Sequence, residues 1–140
     1  VTYVPNAGHN LEQGATEKTA GDRTWAMNAL AAFARAQITG QPMPALSWKH
    51  DDADGKMRLT VTAKPAPSAA RLYAATAPTR DFRKATWEEK PAAIDKETVT
   101  GLVNPPADGC EAFFGVVDYE IDGIKYHLCT QMRVAGKPKP

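Results

Sequence analysis

The sequence EAFFGVVDYEIDGIKYHLCTQMRV, residues 111–134, decides the fold. Asp122-Gly123 stands between two runs rich in Val, Phe, Tyr and Ile, and this pair tolerates the positive φ that a type I′ turn requires. We therefore predict a long antiparallel hairpin of residues 111–120 and 125–134. The predicted register pairs Ile121 with Ile124, Glu120 with Lys125, Tyr119 with Tyr126, Asp118 with His127, Val117 with Leu128, Val116 with Cys129 and Phe113 with Met132.

This register gives the hairpin two different faces, because successive side chains of a strand point to opposite sides. One face is predicted to face the core, and it carries Phe113, Gly115, Val117, Tyr119, Ile121, Ile124, Tyr126, Leu128, Met132 and Val134. The other face is polar near the turn and becomes apolar at Phe114, Val116 and Cys129. We therefore expect another part of the protein to cover the far end of this outer face.

The N-terminal part predicts a strand end, a loop and a helix. Residues 1–5 alternate as a strand does, and apolar residues recur at helical spacing over residues 25–38, with Asp22 or Thr19 as the cap and Gly40 as the end. Two prolines follow within residues 40–44 and disfavour both helix and central strand. We place a domain boundary there, between an N-terminal unit, residues 1–40, and a β domain, residues 45–135.

The β domain reads as short strands separated by turns. Strands are predicted at residues 46–50, 57–63, 70–77 and 98–103, before the hairpin, and the irregular residues 80–87 could hold another short strand. Six or seven strands at this spacing predict a mainly β fold, an immunoglobulin- or fibronectin-like antiparallel sandwich preceded by one long helix. A similar small barrel is the alternative.

Composition excludes several classes of function. The net charge is +1, and Lys and Arg are scattered among nearly as many acids without forming a basic stripe. We therefore expect no nucleic-acid partner. No apolar run reaches the length of a membrane span. The predicted register separates the two cysteines by about six residues, roughly 20 Å, so Cys110 and Cys129 should not form a disulfide.

The acidic loop at residues 51–55 invites a calcium interpretation. Against the EF-hand pattern, His50 would occupy the first ligand position and Val61 the last, where a bidentate Glu is required. A polar turn between two strands explains the loop better. We predict no metal site and no cofactor.

His9 is the first candidate for chemistry. A strand end, the loop Asn6-Ala7-Gly8-His9-Asn10 and then a helix form the local context of the general-base histidine of an α/β-hydrolase. The alternative is a loop histidine with no catalytic partner.

A second candidate is the stretch Arg80-Asp81-Phe82-Arg83 with Trp87. Two guanidinium groups beside a large ring could bind an anion or a carbohydrate, so Arg80, Arg83 and Trp87 are candidate binding residues. The alternative is a structural role, in which Asp81 pairs with an arginine while Phe82 and Trp87 fill the sandwich edge.

Three clusters carry a resemblance to a known family. They are Tyr3-Val4-Pro5-Asn6-Ala7-Gly8-His9-Asn10, then Pro44-Ala45-Leu46-Ser47-Trp48, and Arg80-Asp81-Phe82-Arg83 followed by Trp87. In this order they resemble the C-terminal part of the PhoPQ-activated pathogenicity-related proteins. Members of that family are similar to α/β-hydrolases with an appended β-sandwich and are generally exported.

The resemblance implies that His9 is the triad histidine, that residues 25–38 form the last hydrolase helix, and that residues 46–134 form the appended domain of a periplasmic or secreted protein. The Gly-x-Ser-x-Gly elbow and the triad acid are not in this sequence, so the chain alone should not catalyse acyl transfer. Its expected partner is the missing hydrolase portion, docking on Phe114 and Val116. The alternative is a non-enzymatic immunoglobulin-like binding or structural module.

Overall fold

The computed structural model describes residues 1–139, and in that range one helix precedes eight strands. The fold is mainly β and antiparallel, as predicted. The elements are α1 (Thr24–Thr39), β1 (Ala45–Ala53), β2 (Lys56–Lys64), β3 (Ala69–Ala77), β4 (Glu88–Asp95), β5 (Thr98–Val103), β6 (Cys110–Ile121), β7 (Ile124–Cys129) and β8 (Arg133–Gly136).

The predicted hairpin is confirmed as β6 and β7. Their register runs from Ile121 opposite Ile124 to Val116 opposite Cys129. Both turn residues have positive φ, 48° at Asp122 and 81° at Gly123, as a type I′ turn requires.

The register beyond Cys129 was predicted wrongly by one residue. Phe113 pairs with Arg133, not with Met132. The backbone N–H of Thr130 donates to the carbonyl of Gly115 at 2.9 Å, and the Thr130 hydroxyl accepts from the N–H of Gly115 at 2.9 Å. These bonds accommodate one extra residue, a β-bulge, which separates β7 from β8 along the same edge of β6.

The strands form one sheet in the order β1-β2-β5-β4-β3-β6-β7, and β8 pairs with β6. The sheet is nearly closed. The sheet bends back on itself at β4. The first half of this strand, residues 88–91, pairs with β3, and the second half, residues 92–95, pairs with β5. The two halves of the sheet therefore face each other across the core.

Close packing between the halves depends on two glycines. An ideal Cβ on Gly101 of β5 would lie 2.5 Å from Leu72 of β3, and one on Gly115 of β6 would lie 2.8 Å from Leu59 of β2. Both leucines are fully buried. A side chain at either glycine would force the two halves of the sheet apart.

β4 is the strand that sequence patterning missed. Residues 80–87, where a short strand was considered, contain none, and the strand begins at Glu88 instead. The sequence EEKPAAID has little β-branched character and contains Pro91, which disfavours a central strand. Pro91 is tolerated because it lies where β4 changes partners, from Arg71 of β3 to Gly101 of β5 at the next residue.

α1 packs on the hairpin. Ala32 and Ala36 are buried, and the Asn28 side chain donates to the carbonyl of Lys125 at 2.8 Å. The helix ends at Gly40 in the left-handed conformation (φ 69°), as predicted. The predicted boundary between residues 1–40 and residues 45–135 remains a prediction.

The start of α1 differs slightly from the prediction. Arg23 occupies the N-cap position, and its side chain makes no capping hydrogen bond. Asp22 stands one residue earlier, where its carboxylate accepts from the N–H of Thr24 at 2.7 Å and so satisfies one of the free N–H groups of the first turn.

Candidate functional site

Residues 1–4 lie along the free edge of β7 without forming a regular strand. The N–H of Cys129 donates to the carbonyl of Val1 at 2.9 Å, and the Thr2 hydroxyl donates to the carbonyl of His127 at 3.2 Å. A single backbone bond to β7 does not make a ladder. The last strand of an α/β-hydrolase-like sheet, predicted here, is therefore not shown.

This N-terminal segment covers the outer apolar face of the hairpin. Phe114 and Val116 are fully buried. The ring of Phe114 has its centroid 4.9 Å from that of Tyr3, 5.2 Å from that of Trp87 and 5.9 Å from that of Tyr73. The predicted docking of a partner on Phe114 and Val116 is therefore wrong, because side chains of the same chain already occupy that face.

The loop that carries His9 is held by two side chains. Asn6 both donates to the Trp87 carbonyl at 2.8 Å and accepts from the Trp87 N–H at 2.7 Å. The Gln13 amide donates to the carbonyl of Pro5 at 2.9 Å. His9 is exposed, and no hydrogen bond to its ring occurs among residues 1–139. The two ends of the loop are therefore held by hydrogen bonds, while His9 itself faces solvent.

Two clusters far apart in the sequence meet at this loop. Residues 4–8 and residues 82–87 line a shallow cleft of about 430 Å³. Within residues 82–87, Phe82 and Trp87 have ring centroids 6.0 Å apart. Trp87 therefore joins the His9 loop, through Asn6, to the apolar cluster around Phe114.

The arginines of the second cluster, Arg80 and Arg83, lie at the surface and do not join the apolar cluster as Trp87 does. The Arg83 guanidinium donates hydrogen bonds to the Asp81 carboxylate, with Nε 2.9 Å from Oδ1. This pairing holds the pKa of Asp81 well below its usual range. Arg80 is exposed. The structural role predicted for Asp81 and Trp87 fits this geometry, and the binding role of Arg80, Arg83 and Trp87 remains a prediction.

A charged cluster of Asp118, His127 and Arg71 packs against Trp25, and only its Asp118–His127 pair was predicted. The predicted pair is present, with His127 Nδ1 2.7 Å from Asp118 Oδ1, and Arg71 donates to Asp118 Oδ2 at 2.7 Å. The Trp25 ring lies 3.9 Å from the His127 ring and under the Arg71 guanidinium, and its Nε1 donates to the carbonyl of Tyr3. The cluster fastens both α1 and the N-terminal segment to the sheet.

This cluster predicts acid sensitivity. Burial opposes ionisation of Asp118, but the hydrogen bonds from His127 and Arg71 outweigh it, so the pKa of this carboxyl is lowered. Its stabilising contribution is fully present above the ordinary Asp value of about 4 and is lost as pH falls through the folded-state pKa. We expect the unfolding free energy, measured in urea between about pH 6 and pH 2, to fall less steeply for Asp118→Asn than for the wild type. Parallel curves for the two proteins would contradict this role.

The predicted acidic loop at residues 51–55 is in fact the end of β1 and a two-residue turn, and the two aspartates in β1 are paired with arginines of the same chain. Arg58 donates to both oxygens of Asp51, at 2.8 and 2.9 Å, and Arg133 donates to Asp52 at 2.8 Å. Among residues 1–139 no group of three or more His, Cys, Asp or Glu side chains is arranged to hold a metal ion. Cys110 and Cys129 are both free, as predicted, and both are buried. In the same range no helix is long and apolar enough to cross a membrane.

Comparison with known proteins supplies the family. No curated protein and no solved structure matches the chain. The family model described as PhoPQ-activated pathogenicity-related protein matches residues 1–83, which include the His9 loop, α1, β1 to β3 and the Arg80–Arg83 cluster. Because this match covers more than half of the 140 residues, the chain belongs to the PhoPQ-activated pathogenicity-related protein family.

Proposed function

We propose that this chain is the C-terminal segment of an exported α/β-hydrolase-like protein, periplasmic or secreted, in which His9 is the general base of a serine triad. The serine nucleophile, the triad acid and the oxyanion hole would come from the preceding portion of that protein. The reaction class is hydrolysis of an acyl group. Alone, the chain would supply a base with no nucleophile to activate.

The observation that carries this proposal is the surface of α1. The helix sequence TWAMNALAAFARAQIT contains one charged residue, and its buried side faces the hairpin through Ala32 and Ala36. A helix that is apolar on nearly all sides belongs in the interior of a larger structure. Four large apolar side chains on its remaining sides are exposed: Met27 (54%), Leu30 (60%), Phe33 (53%) and Ile38 (78%).

This exposed helix surface continues onto the N-terminal segment. Val1 and Leu11 are also exposed, and together with Leu30 and Phe33 they line a mainly apolar groove of about 550 Å³. We call these residues, with Met27 and Ile38, the α1 outer surface. An apolar surface of this kind marks an interaction site. The proposed occupant is the hydrolase-like portion of the same protein, because the family match spans both walls of the groove.

The placement of His9 supports the same assignment. His9 follows the segment that forms one wall of the groove and precedes the helix that forms the other. A partner seated on the α1 outer surface would therefore lie near the His9 loop. From it, an acid could orient the imidazole and a serine could give up its proton to it, as the triad mechanism requires.

The double variant Leu30→Glu/Phe33→Glu tests this proposal. In the 140-residue chain both side chains are exposed, so the free energy of unfolding measured in urea should change by no more than about 1 kcal/mol. In the intact longer protein the same change buries two unpaired charges, and we expect loss of several kcal/mol of stability or loss of soluble protein. Ile94→Glu in β4 is the matched control, because Ile94 is a comparably exposed apolar residue outside α1.

Two results would contradict the proposal. One is an intact protein that tolerates the double variant as well as it tolerates Ile94→Glu. The other is a stable dimer of the 140-residue chain in sedimentation velocity that the double variant dissociates, since the occupant of the α1 outer surface would then be a second copy.

A second candidate is an immunoglobulin-like binding or structural module. It is supported by the strand order of the single sheet: with the strands lettered A to G, β1-β2-β5-β4 and β3-β6-β7 follow the orders A-B-E-D and C-F-G that an immunoglobulin-type sandwich has in its two sheets. The exposed Arg80 and Arg83 would then be the contact residues, beside the cleft at Trp87. This role would require a ligand whose binding depends on Arg80 or Arg83.

A further inference from the structure

A second cleft opens where β4 changes partners. The first half of β4 stays with β3, so within residues 1–139 the end of β5, residues 102–103, pairs with no strand on the side of β4. The resulting cleft has a volume of about 650 Å³ and shares no lining residue with the cleft at the His9 loop. Its size is within the range of small-molecule sites.

The floor of this cleft holds a largely buried glutamate, Glu111, whose carboxylate oxygens still reach the cleft surface. Glu111 on β6 pairs with Thr76 of β3 and lies two residues before Phe113, so its side chain is on the core-facing side of the strand. Glu111 is 9% exposed, and among residues 1–139 its carboxylate makes no hydrogen bond or ion pair. Burial raises its pKa, although nearby Lys90 opposes this effect.

The other two acids that line the cleft already have partners. Lys90 binds Glu88, with Nζ 2.6 Å from Oε2, and Asp108 binds Lys139. Glu111 is therefore the acid of this cleft that a ligand can still satisfy. A lone carboxylate at a core position lowers stability, and such departures from the core pattern concentrate at functional sites.

The remaining walls restrict what could reach Glu111. Apolar surface in the same cleft comes from Ala74, Ala75, Val103 and Pro106. A metal ion would need additional oxygen ligands, and among residues 1–139 no cluster of three or more candidate ligands exists. An organic cation fits both features, because an ammonium group can pair with the acid while its carbon chain contacts the apolar wall.

We propose that the cleft at the point where β4 changes partners binds a ligand with a primary ammonium group on a short apolar body. Glu111 would be the anion that pairs with the ammonium group. The site depends on the cleft alone and is independent of the hydrolase assignment. Nothing in it requires a longer protein.

The test is a ¹⁵N–¹H NMR titration of the 140-residue chain with n-butylammonium chloride, with n-butanol as the neutral probe of equal shape. We expect butylammonium to shift the amide signals of Thr76, Lys90 and Val103 and to bind at least tenfold more tightly than n-butanol. Glu111→Gln should weaken butylammonium binding at least tenfold. Glu120→Gln, an exposed acid near the turn of the same strand, should leave it unchanged.

A second measurement keeps the test decisive if Glu111→Gln fails to fold. In the wild-type chain, the carboxyl ¹³C signal of Glu111 should titrate at a pKa at least one unit lower with saturating butylammonium than without it. The proposal is overturned by an unmoved titration, by equal affinity for n-butanol, or by shifts that persist in Glu111→Gln.

Discussion

Phe114→Ala is expected to lower the free energy of unfolding by about 3–5 kcal/mol, the usual cost of removing a fully buried aromatic ring. The ring is the centre of the outer cluster and lies between Tyr3, Tyr73 and Trp87. Its removal would leave a cavity between the sheet and the N-terminal segment. Equilibrium unfolding in urea, followed by Trp fluorescence, measures this loss.

Leu30→Ala is the matched control for that experiment. Leu30 is also a large apolar residue, but it lies on the α1 outer surface and is mostly exposed. Its replacement should change the unfolding free energy of the 140-residue chain by no more than about 1 kcal/mol. If Phe114→Ala were as mild as Leu30→Ala, Phe114 would be a surface residue and its burial under the N-terminal segment would be wrong.

Local patterns predicted the local structure well. The hairpin follows from Asp122-Gly123 between two apolar runs, and the end of α1 follows from Gly40, because each depends on residues that are neighbours in the sequence. The mainly β class followed from the spacing of the strands. These features needed no knowledge of distant contacts.

The features that were missed depend on distant residues. The bulge at Thr130 is stabilised by the hydrogen bonds of Thr130 with Gly115, and β4 forms because β3 and β5 each offer it half an edge. A cover on Phe114 was predicted, but not that Tyr3, more than 100 residues away in the chain, would be part of it. Periodicity within a segment carries no information about such partners.

The candidate sites divide in the same way. His9 and Trp87 were singled out separately, but their connection through Asn6 depends on two hydrogen bonds across 81 residues. Glu111 was overlooked, although the hairpin register offered a signal. It shares its face with Phe113, and an acid on a core-facing face is the kind of exception that deserves a functional explanation.

The proposed triad role of His9 predicts that His9→Ala in the longer parent protein reduces kcat/KM for ester hydrolysis by about 10⁴-fold or more, because a serine without its general base remains protonated. The fold should not change, since His9 is exposed and makes no hydrogen bond among residues 1–139. Circular dichroism and the urea midpoint of the variant should match those of the wild type.

The most direct test of the account is therefore the kcat/KM of the purified intact protein toward p-nitrophenyl acetate, with wild type, His9→Ala and Asn10→Ala compared side by side. Asn10 is the matched control, because it is the exposed neighbour of His9 in the same loop. We expect wild-type kcat/KM for Asn10→Ala and a kcat/KM lower by about 10⁴-fold or more for His9→Ala. Wild-type turnover by the folded His9→Ala protein would contradict it.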